Sequence, residues 1–317
     1  MHWKLKATIQ NLVSYLPAGW SYRAYYWLQR HFGGLRNFHP GSRLTAGVEI
    51  WQQLEAQGET PAGKRFFEVG TGRVPLAPLA FWLMGAAQTI TVDLNPYLSD
   101  ELLRDSLLYL ATHQAESRRL FGNRLDGQRF ADLLAFSRDA RFSRAGFLEL
   151  CNIRYVAPGD AAHTDLAPQS IDYHSSYWVF EHIPPNVLRD ILQEGNRILR
   201  PDGLCVHRID YSDHFSHSDP RISAINFLQY SQPRWDRYAG NRYMYMNRLR
   251  HDDFLDLFQS VGHRVVAAAP DLDRGLLEFV QRGELQLDPQ FADKSPDVLA
   301  MTGAWVLSQP AGGAATG

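Results

Sequence analysis

The stretch Phe66-Phe67-Glu68-Val69-Gly70-Thr71-Gly72 constrains this chain more than any other. An apolar run ends in an acidic residue and two glycines, and a helix-like segment follows from Pro75 to Met84. Pro75 and Pro78 are compatible with a helix only near its start. A second apolar run, Thr89–Asp93, ends in a carboxylate about 20 residues after the first loop. Glycines there let the backbone turn sharply and approach a bound molecule. A carboxylate at the end of the second strand suits the two hydroxyls of a ribose. The pair of signals therefore predicts a strand-loop-helix-strand unit built for a nucleoside-bearing ligand.

The remaining chain repeats the alternation. Ile153–Val156 and Ile171–Ser176 read as strands and Asn186–Leu199 as an amphipathic helix. Arg200-Pro201-Asp202-Gly203 reads as the stop before a strand at Leu204–Ile209. A short helix at Asp253–Val261 and a strand at His263–Ala269 follow, and Ala304–Leu307 forms the last apolar run. Strands separated by helices predict a mostly parallel α/β sheet with right-handed crossovers, the final strand being antiparallel. Residues 1–60 read as a helical cap, 97–150 as a helical insertion, 211–250 as a lid, and 310–317 as a disordered tail. The core spans 61–309.

Composition excludes several classes. The net charge of -2 gives no general case for a nucleic-acid partner, and 45% hydrophobic with 21% charged residues describes an ordinary globular chain. No apolar run approaches the length of a membrane span, so stable membrane insertion is not expected. The two cysteines, Cys151 and Cys205, form no metal-type pair, and the expected setting is reduced and cytoplasmic. Oligomeric state leaves no sequence signature here.

Four blocks in this order resemble the class I S-adenosylmethionine-dependent methyltransferases, in particular the small-molecule group, over about residues 62–309. They are Glu68-Val69-Gly70-Thr71-Gly72, Asp93 after the second strand, Gly159-Asp160-Ala161-Ala162 after the third, and the segment from Ser170 to His182 followed by Arg197 to Gly203. The resemblance implies a Rossmann-like, doubly wound sheet and S-adenosylmethionine as cofactor. It implies that Glu68 orients the glycine loop or reaches the methionine amine, while Val69, Gly70, Thr71 and Gly72 form the close-approach loop. Asp93 would hold the ribose, Leu94 would lie against the adenine, and Asp160 and the Ala161 amide would meet the adenine edge and ring. Backbone at Ser175 and Ser176 would underlie the methionine portion. Val74 departs from the pattern, standing where many members carry a third glycine. An NAD-dependent oxidoreductase of similar fold and a non-catalytic binding protein are the rival readings.

Methyl transfer requires alignment and, for a protonated nucleophile, loss of a proton. Glu181 and His182 follow the fourth strand, and His207, Asp210, His214 and His217 cluster after the fifth, so His182 and His214 lead as bases, with Glu181, His207 and Asp210 as further candidates. A metal set of His207, Asp210, His214 and His217 is chemically conceivable, but a hydrogen-bonded loop shaping the acceptor pocket is the reading adopted, with no metal expected. Residues 1–48 hold no Asp or Glu but six Lys and Arg among many aromatics. Residues 221–250 repeat that flavour. Such segments suit a small-molecule or glycan-type acceptor with anionic or aromatic groups, methylated on oxygen first and nitrogen second.

Overall fold

The computed structural model describes residues 1–139 and 142–310. Three helices lead, α1 (Trp3–Ser14), α2 (Ala18–Phe32) and α3 (Pro40–Ala56). Then come β1 (Arg65–Val69), α4 (Leu76–Leu83) and β2 (Gln88–Val92). The insertion is four helices, α5 (Asp100–Thr112), α6 (Gln114–Phe121), α7 (Gly127–Ser137) and α8 (Arg144–Leu150). Three of them start on a side-chain cap, from Ser99, Asp126 and Ser143, each satisfying an amide that the helix itself leaves unpaired. The core resumes with β3 (Ile153–Val156), β4 (Ile171–Tyr177), α9 (Pro185–Ile198) and β5 (Leu199–Asp210). Last come α10 (Gln232–Ala239), α11 (His251–Ser260), β6 (His263–Leu272), α12 (Arg274–Gln281), α13 (Pro296–Ala300) and β7 (Met301–Pro310).

The strands form one sheet in the order β3-β2-β1-β4-β5-β7-β6. The pairs from β3 to β5 are parallel, and β7 runs antiparallel to both its neighbours. The last strand is thus antiparallel, as the sequence led one to expect. Strand order reverses between β1 and β4, and an open α/β sheet places its ligand crevice at the carboxyl ends of the strands at such a point. Both faces of the sheet are covered. Phe66 packs with Trp51 and Phe81 beneath α3 and α4, while its neighbour Phe67 packs with Ile191 and Leu192 of α9 on the other face. This alternation is the period of two expected of a strand, and two buried faces explain why β1 and β2 read as continuous apolar runs.

Two expectations need correction. Arg200–Gly203 does not separate α9 from β5: the strand already begins at Leu199. Its pairing jumps from Ile171↔Leu199 to Tyr173↔Leu204, so these residues bulge from the ladder, where a proline without an amide donor is tolerated. Pro310 belongs to β7 rather than to a loose tail; residues 311–317 lie outside those described.

The N-terminal cap and the post-β5 excursion are one packed unit. Trp3 and Trp235 are buried together with Phe215 and Phe227. The Trp3 amide donates to Asp219 Oδ2 at 2.8 Å, and Arg221 grips the same carboxylate at 2.7 and 2.9 Å. Arg248 and Arg250, which the sequence suggested for an acceptor, instead donate to backbone carbonyls of Phe227, Tyr230, Tyr211 and Leu299. No helix among the described residues is long and apolar enough to cross a membrane.

Candidate active site

The glycine loop leaves β1 with Gly70 at φ 90° and Gly72 at φ 68°, both in the left-handed region that residues with a Cβ avoid. A Cβ at Gly70 would lie 2.5 Å from Val179 Cγ2, whereas one at Gly72 would meet open space. Gly70 therefore lets β4's exit segment close onto the loop, and Gly72 leaves a gap. Replacing Gly70 by alanine should destabilise the fold by about 2 kcal/mol through backbone strain and the clash. The second change Val179→Ala should recover the clash component. Thermal unfolding of the single and double variants checks this; a Gly70→Ala melt unchanged from that of the parent chain would refute it.

Asp93, one residue beyond β2, closes the loop from the other side. Its Oδ2 accepts from the Gly72 amide at 2.9 Å and its Oδ1 from the Asn95 amide at 3.0 Å. Burial raises its pKa against the opposing pull of those amides. Behind it, Glu68 Oε2 accepts from Thr91 Oγ1 at 2.6 Å, and that hydroxyl lies 2.6 Å from Thr71 Oγ1. Burial pushes Glu68 up to about 8, so it is an uncharged acid at neutral pH and ties the loop to β2. On the adjoining loop, Asp160 accepts from the Ala162 amide at 2.8 Å and from His163 Nδ1 at 2.9 Å, which hold it below the ordinary carboxylate range. Leu94 stands exposed and Ala161 is buried.

These residues border two cavities. One, of about 760 Å³, is lined by Val69, Asp93, Leu94, Asp160, Ala161 and Pro184 among others. The other, of about 470 Å³, is lined by Glu68, Thr71, Gly72, Arg43, Arg73 and Trp178 among others. Gly70, Asp93, Val179 and His182 belong to both walls. The space is thus a bent trough with a carboxylate at its middle, of the size that small-ligand sites have.

The titratable groups separate into a rim and a core. His182 sits at the junction, and its Nδ1 lies 2.8 Å from the Tyr245 carbonyl, which makes Nδ1 the protonated nitrogen and leaves the Nε2 lone pair free. Burial and the adjacent His214 push its pKa down to about 4. The two rings meet edge to face at 4.9 Å. His214 Nε2 lies 3.1 Å from Asp210 Oδ2, and Asp210 is held in turn by Ser212 at 2.6 Å. His217 stacks on His214 at 5.0 Å. Glu181 lies behind His182, buried.

His207 is not part of this rim. The alternation along β5 turns it into the sheet interior, where it stacks on Phe180 at 4.2 Å and pairs with Ser176 Oγ at 2.8 Å. Burial, with His174 and His263 nearby, holds its pKa well below the ordinary value. Ser176 is likewise fully buried, and neither residue lines either cavity. Ser212 and the bulk of the histidine-rich loop do not line them either; His182 alone of the candidate bases does.

Sequence reading counted Arg43 among the six N-terminal cations but missed Arg73, the other half of a cationic wall. Arg73 directly follows the glycine loop and lies over the rings of Tyr26 and Tyr97, at 4.7 and 5.2 Å. Neither Arg43 nor Arg73 makes an ion pair among the described residues. α2 braces the rim from outside: Tyr22 donates to Asn95 Oδ1 at 2.9 Å, and Arg30 pairs with Glu101 at 3.0 Å and Asp105 at 3.1 Å. Trp178 adopts φ 56° at the end of β4, half-exposed on the trough wall.

A family profile described as a methyltransferase domain matches residues 135–207, from the end of α7 into β5. The fold is also similar to that of geranyl diphosphate methyltransferase solved with GPP and sinefungin, at 13% identity and TM-score 0.47, covering 83% of this chain and 77% of that one. Geranyl diphosphate C-methyltransferase from Streptomyces coelicolor A3(2), solved with Mg2+, geranyl diphosphate and S-adenosyl-L-homocysteine, gives 10% identity and TM-score 0.45 over 83% and 78%. The PH0226 protein from Pyrococcus horikoshii OT3 gives 11% and 0.47 over 90% and 98%. No curated protein matches the chain.

Proposed function

We propose that the chain is an S-adenosylmethionine-dependent methyltransferase and that it methylates an oxygen of a small, anionic acceptor, glycan-type molecules included; the methyltransferase-domain match over residues 135–207 supports the first part. The observation that carries this reading is the bent trough, whose two arms meet at Gly70, Asp93, Val179 and His182. S-adenosylmethionine supplies, when bound, an electrophilic methyl carbon on a sulfonium.

The residues present fit that cofactor. Asp93 offers two carboxylate oxygens, each with a lone pair beyond the one its amide donor uses, for the ribose hydroxyls. Leu94, Ala161 and Asp160 line the larger arm, as an adenine requires: apolar contact on the ring and an acceptor for the amino group. The smaller arm, open at Gly72 where a Cβ would meet nothing, takes the methionine portion. One of the two unpaired arginines there answers the methionine carboxylate. The other is left for an acid group on the acceptor, and the trough's size suits small molecules. A hydroxyl brought to the junction loses its proton to water with help from His182, the one imidazole on both walls. This is the histidine-assisted step.

The test follows the methyl group. Tritium from methyl-labelled cofactor, incubated with the chain and a metabolite extract, should appear in low-mass products retained on an anion exchanger. His182→Ala should cut the transfer by about 10²-fold or more while S-adenosylhomocysteine still binds. Label in protein or nucleic acid, or a His182→Ala chain as active as its parent, would overturn the proposal. Tight S-adenosylhomocysteine binding with no transfer to any fraction would return the non-catalytic reading.

A further inference from the structure

Glu181 is a poorly satisfied buried carboxyl group beside the site. Its side chain is 2% exposed, and neither carboxylate oxygen has a well-aligned hydrogen-bond partner, the backbone amides of Glu181 and Asp210 giving it only partial support. Protonation does not cure this. A neutral carboxylic acid still carries a donor and an acceptor, and a buried polar atom without a partner costs about 1–3 kcal/mol. A buried carboxylate without a countercharge costs more. The group is held in place by the 3-10 turn Phe180–His182, whose carbonyls at Phe180 and Glu181 are gripped by Asn247 at 2.8 and 2.9 Å. It is therefore aimed, not stray.

What it faces is two imidazoles. His182 Nε2 lies 3.9 Å from Glu181 Oε1, and one ligand atom from each of Glu181, His182 and His214 lies within 4.8 Å of the other two. Both rings have one nitrogen committed to an acceptor, His182 Nδ1 to the Tyr245 carbonyl and His214 Nε2 to Asp210. That commitment fixes each tautomer and leaves one lone pair per ring, as outer partners do for metal-bound histidines. Asp210 is itself oriented by the Ser212 amide and hydroxyl at 2.7 and 2.6 Å.

We propose that Glu181, His182 and His214 bind one divalent transition-metal cation. Two imidazoles and one carboxylate suit manganese, iron, cobalt or zinc better than magnesium or calcium, which prefer all-oxygen sets. Three protein ligands leave at least one position open, and His182 directs it to the junction of the trough. The inference deepens the methyltransferase reading and rests on it: the open position takes the acceptor's hydroxyl oxygen. Coordination lets the O–H bond break with the proton passing to water. The oxygen then forms its bond to the methyl carbon as the carbon–sulfur bond breaks, its electron pair going to sulfur. The two histidines assist as ligands that make the hydroxyl acidic, and Asp210 acts as a positioning residue through His214.

Cobalt(II) alone is the probe, titrated into chelator-stripped full-length chain and followed by visible d–d absorption and calorimetry. The parent chain should take up one cobalt ion. Glu181→Gln, a neutral isostere that relieves the buried charge and keeps the fold, should weaken uptake about tenfold or more and change the spectrum. His182→Ala should do the same. Asp93→Ala should leave cobalt uptake unchanged while S-adenosylhomocysteine binding falls. A chain that binds S-adenosylhomocysteine but takes up no cobalt overturns the metal proposal alone, as does uptake equal in Glu181→Gln and parent. Cobalt uptake abolished by Glu181→Gln in a chain that never binds S-adenosylhomocysteine supports the metal site and overturns the methyltransferase reading.

Discussion

Asp93→Ala should weaken S-adenosylhomocysteine binding about a hundredfold or more. Two charge-assisted hydrogen bonds to the ribose are lost, at about 1.5–3 kcal/mol each, against about 1.4 kcal/mol per tenfold in affinity. The substitution also frees the amides of Gly72 and Asn95, at present 2.9 and 3.0 Å from the carboxylate, so the loop loses the brace that keeps its open side shaped. Asp93→Asn separates the two effects. It retains one acceptor oxygen for an amide but loses the charge, so its affinity should fall between the other two. Calorimetry of the three chains at one pH checks the order. Equal affinity in Asp93→Ala and parent would mean that the carboxylate only braces the loop.

Glu68→Gln should stabilise the chain, increasingly so as pH rises. The sign follows from the direction of the shift. Burial moves Glu68 from an ordinary 4.5 to about 8 in the folded chain, so the unfolded chain sheds this proton first. Stability associated with Glu68 is full below about 4.5 and drains away as pH rises to about 8, after which it is constant. Glutamine has no proton to lose and still accepts from Thr91. At about 1.4 kcal/mol per pH unit, the variant's advantage should reach a few kcal/mol by pH 8 and vanish near pH 4. Denaturant unfolding across that range measures it. An advantage that does not change with pH would show that Glu68 titrates like an exposed carboxylate. Binding of S-adenosylhomocysteine should persist in this variant, because the loop's tie to β2 is kept.

Much of the nucleoside-facing trough was legible as a string of residues, because its parts are contiguous. β1 has the bounds its apolar run implied, Arg65–Val69, since a glycine with positive φ ends it. Asp93 is visible as the polar residue that stops β2. The rim was legible only in part. Glu181 and His182 stand together in sequence, but His214 is one of three histidines from His207 to His217, and nothing local says which of them turns outward. His207 was misplaced for a definite reason: it already lay inside the predicted strand Leu204–Ile209, and the alternation that buries Cys205 and Ile209 on one face of β5 buries His207 with them. The arginines went astray for another. Guanidinium groups at Arg248 and Arg250 look like acceptor-binding cations until the backbone carbonyls they satisfy are in view, while Arg43 and Arg73, with no such carbonyls, line the trough.

The order of strands and helices, the glycine turn and the terminal carboxylate follow from short-range chemistry: side-chain periodicity, allowed backbone angles, and the need to end a strand. Packing between segments far apart in the chain settled the rest. It brought Glu181 and His182 against His214, set a buried carboxylate 3.9 Å from the free nitrogen of His182, and tied α2 to the rim of the trough through Tyr22 and Asn95. Burial and pairing of polar groups depend on which neighbours arrive from elsewhere, and that is a property of the whole fold rather than of any stretch of residues.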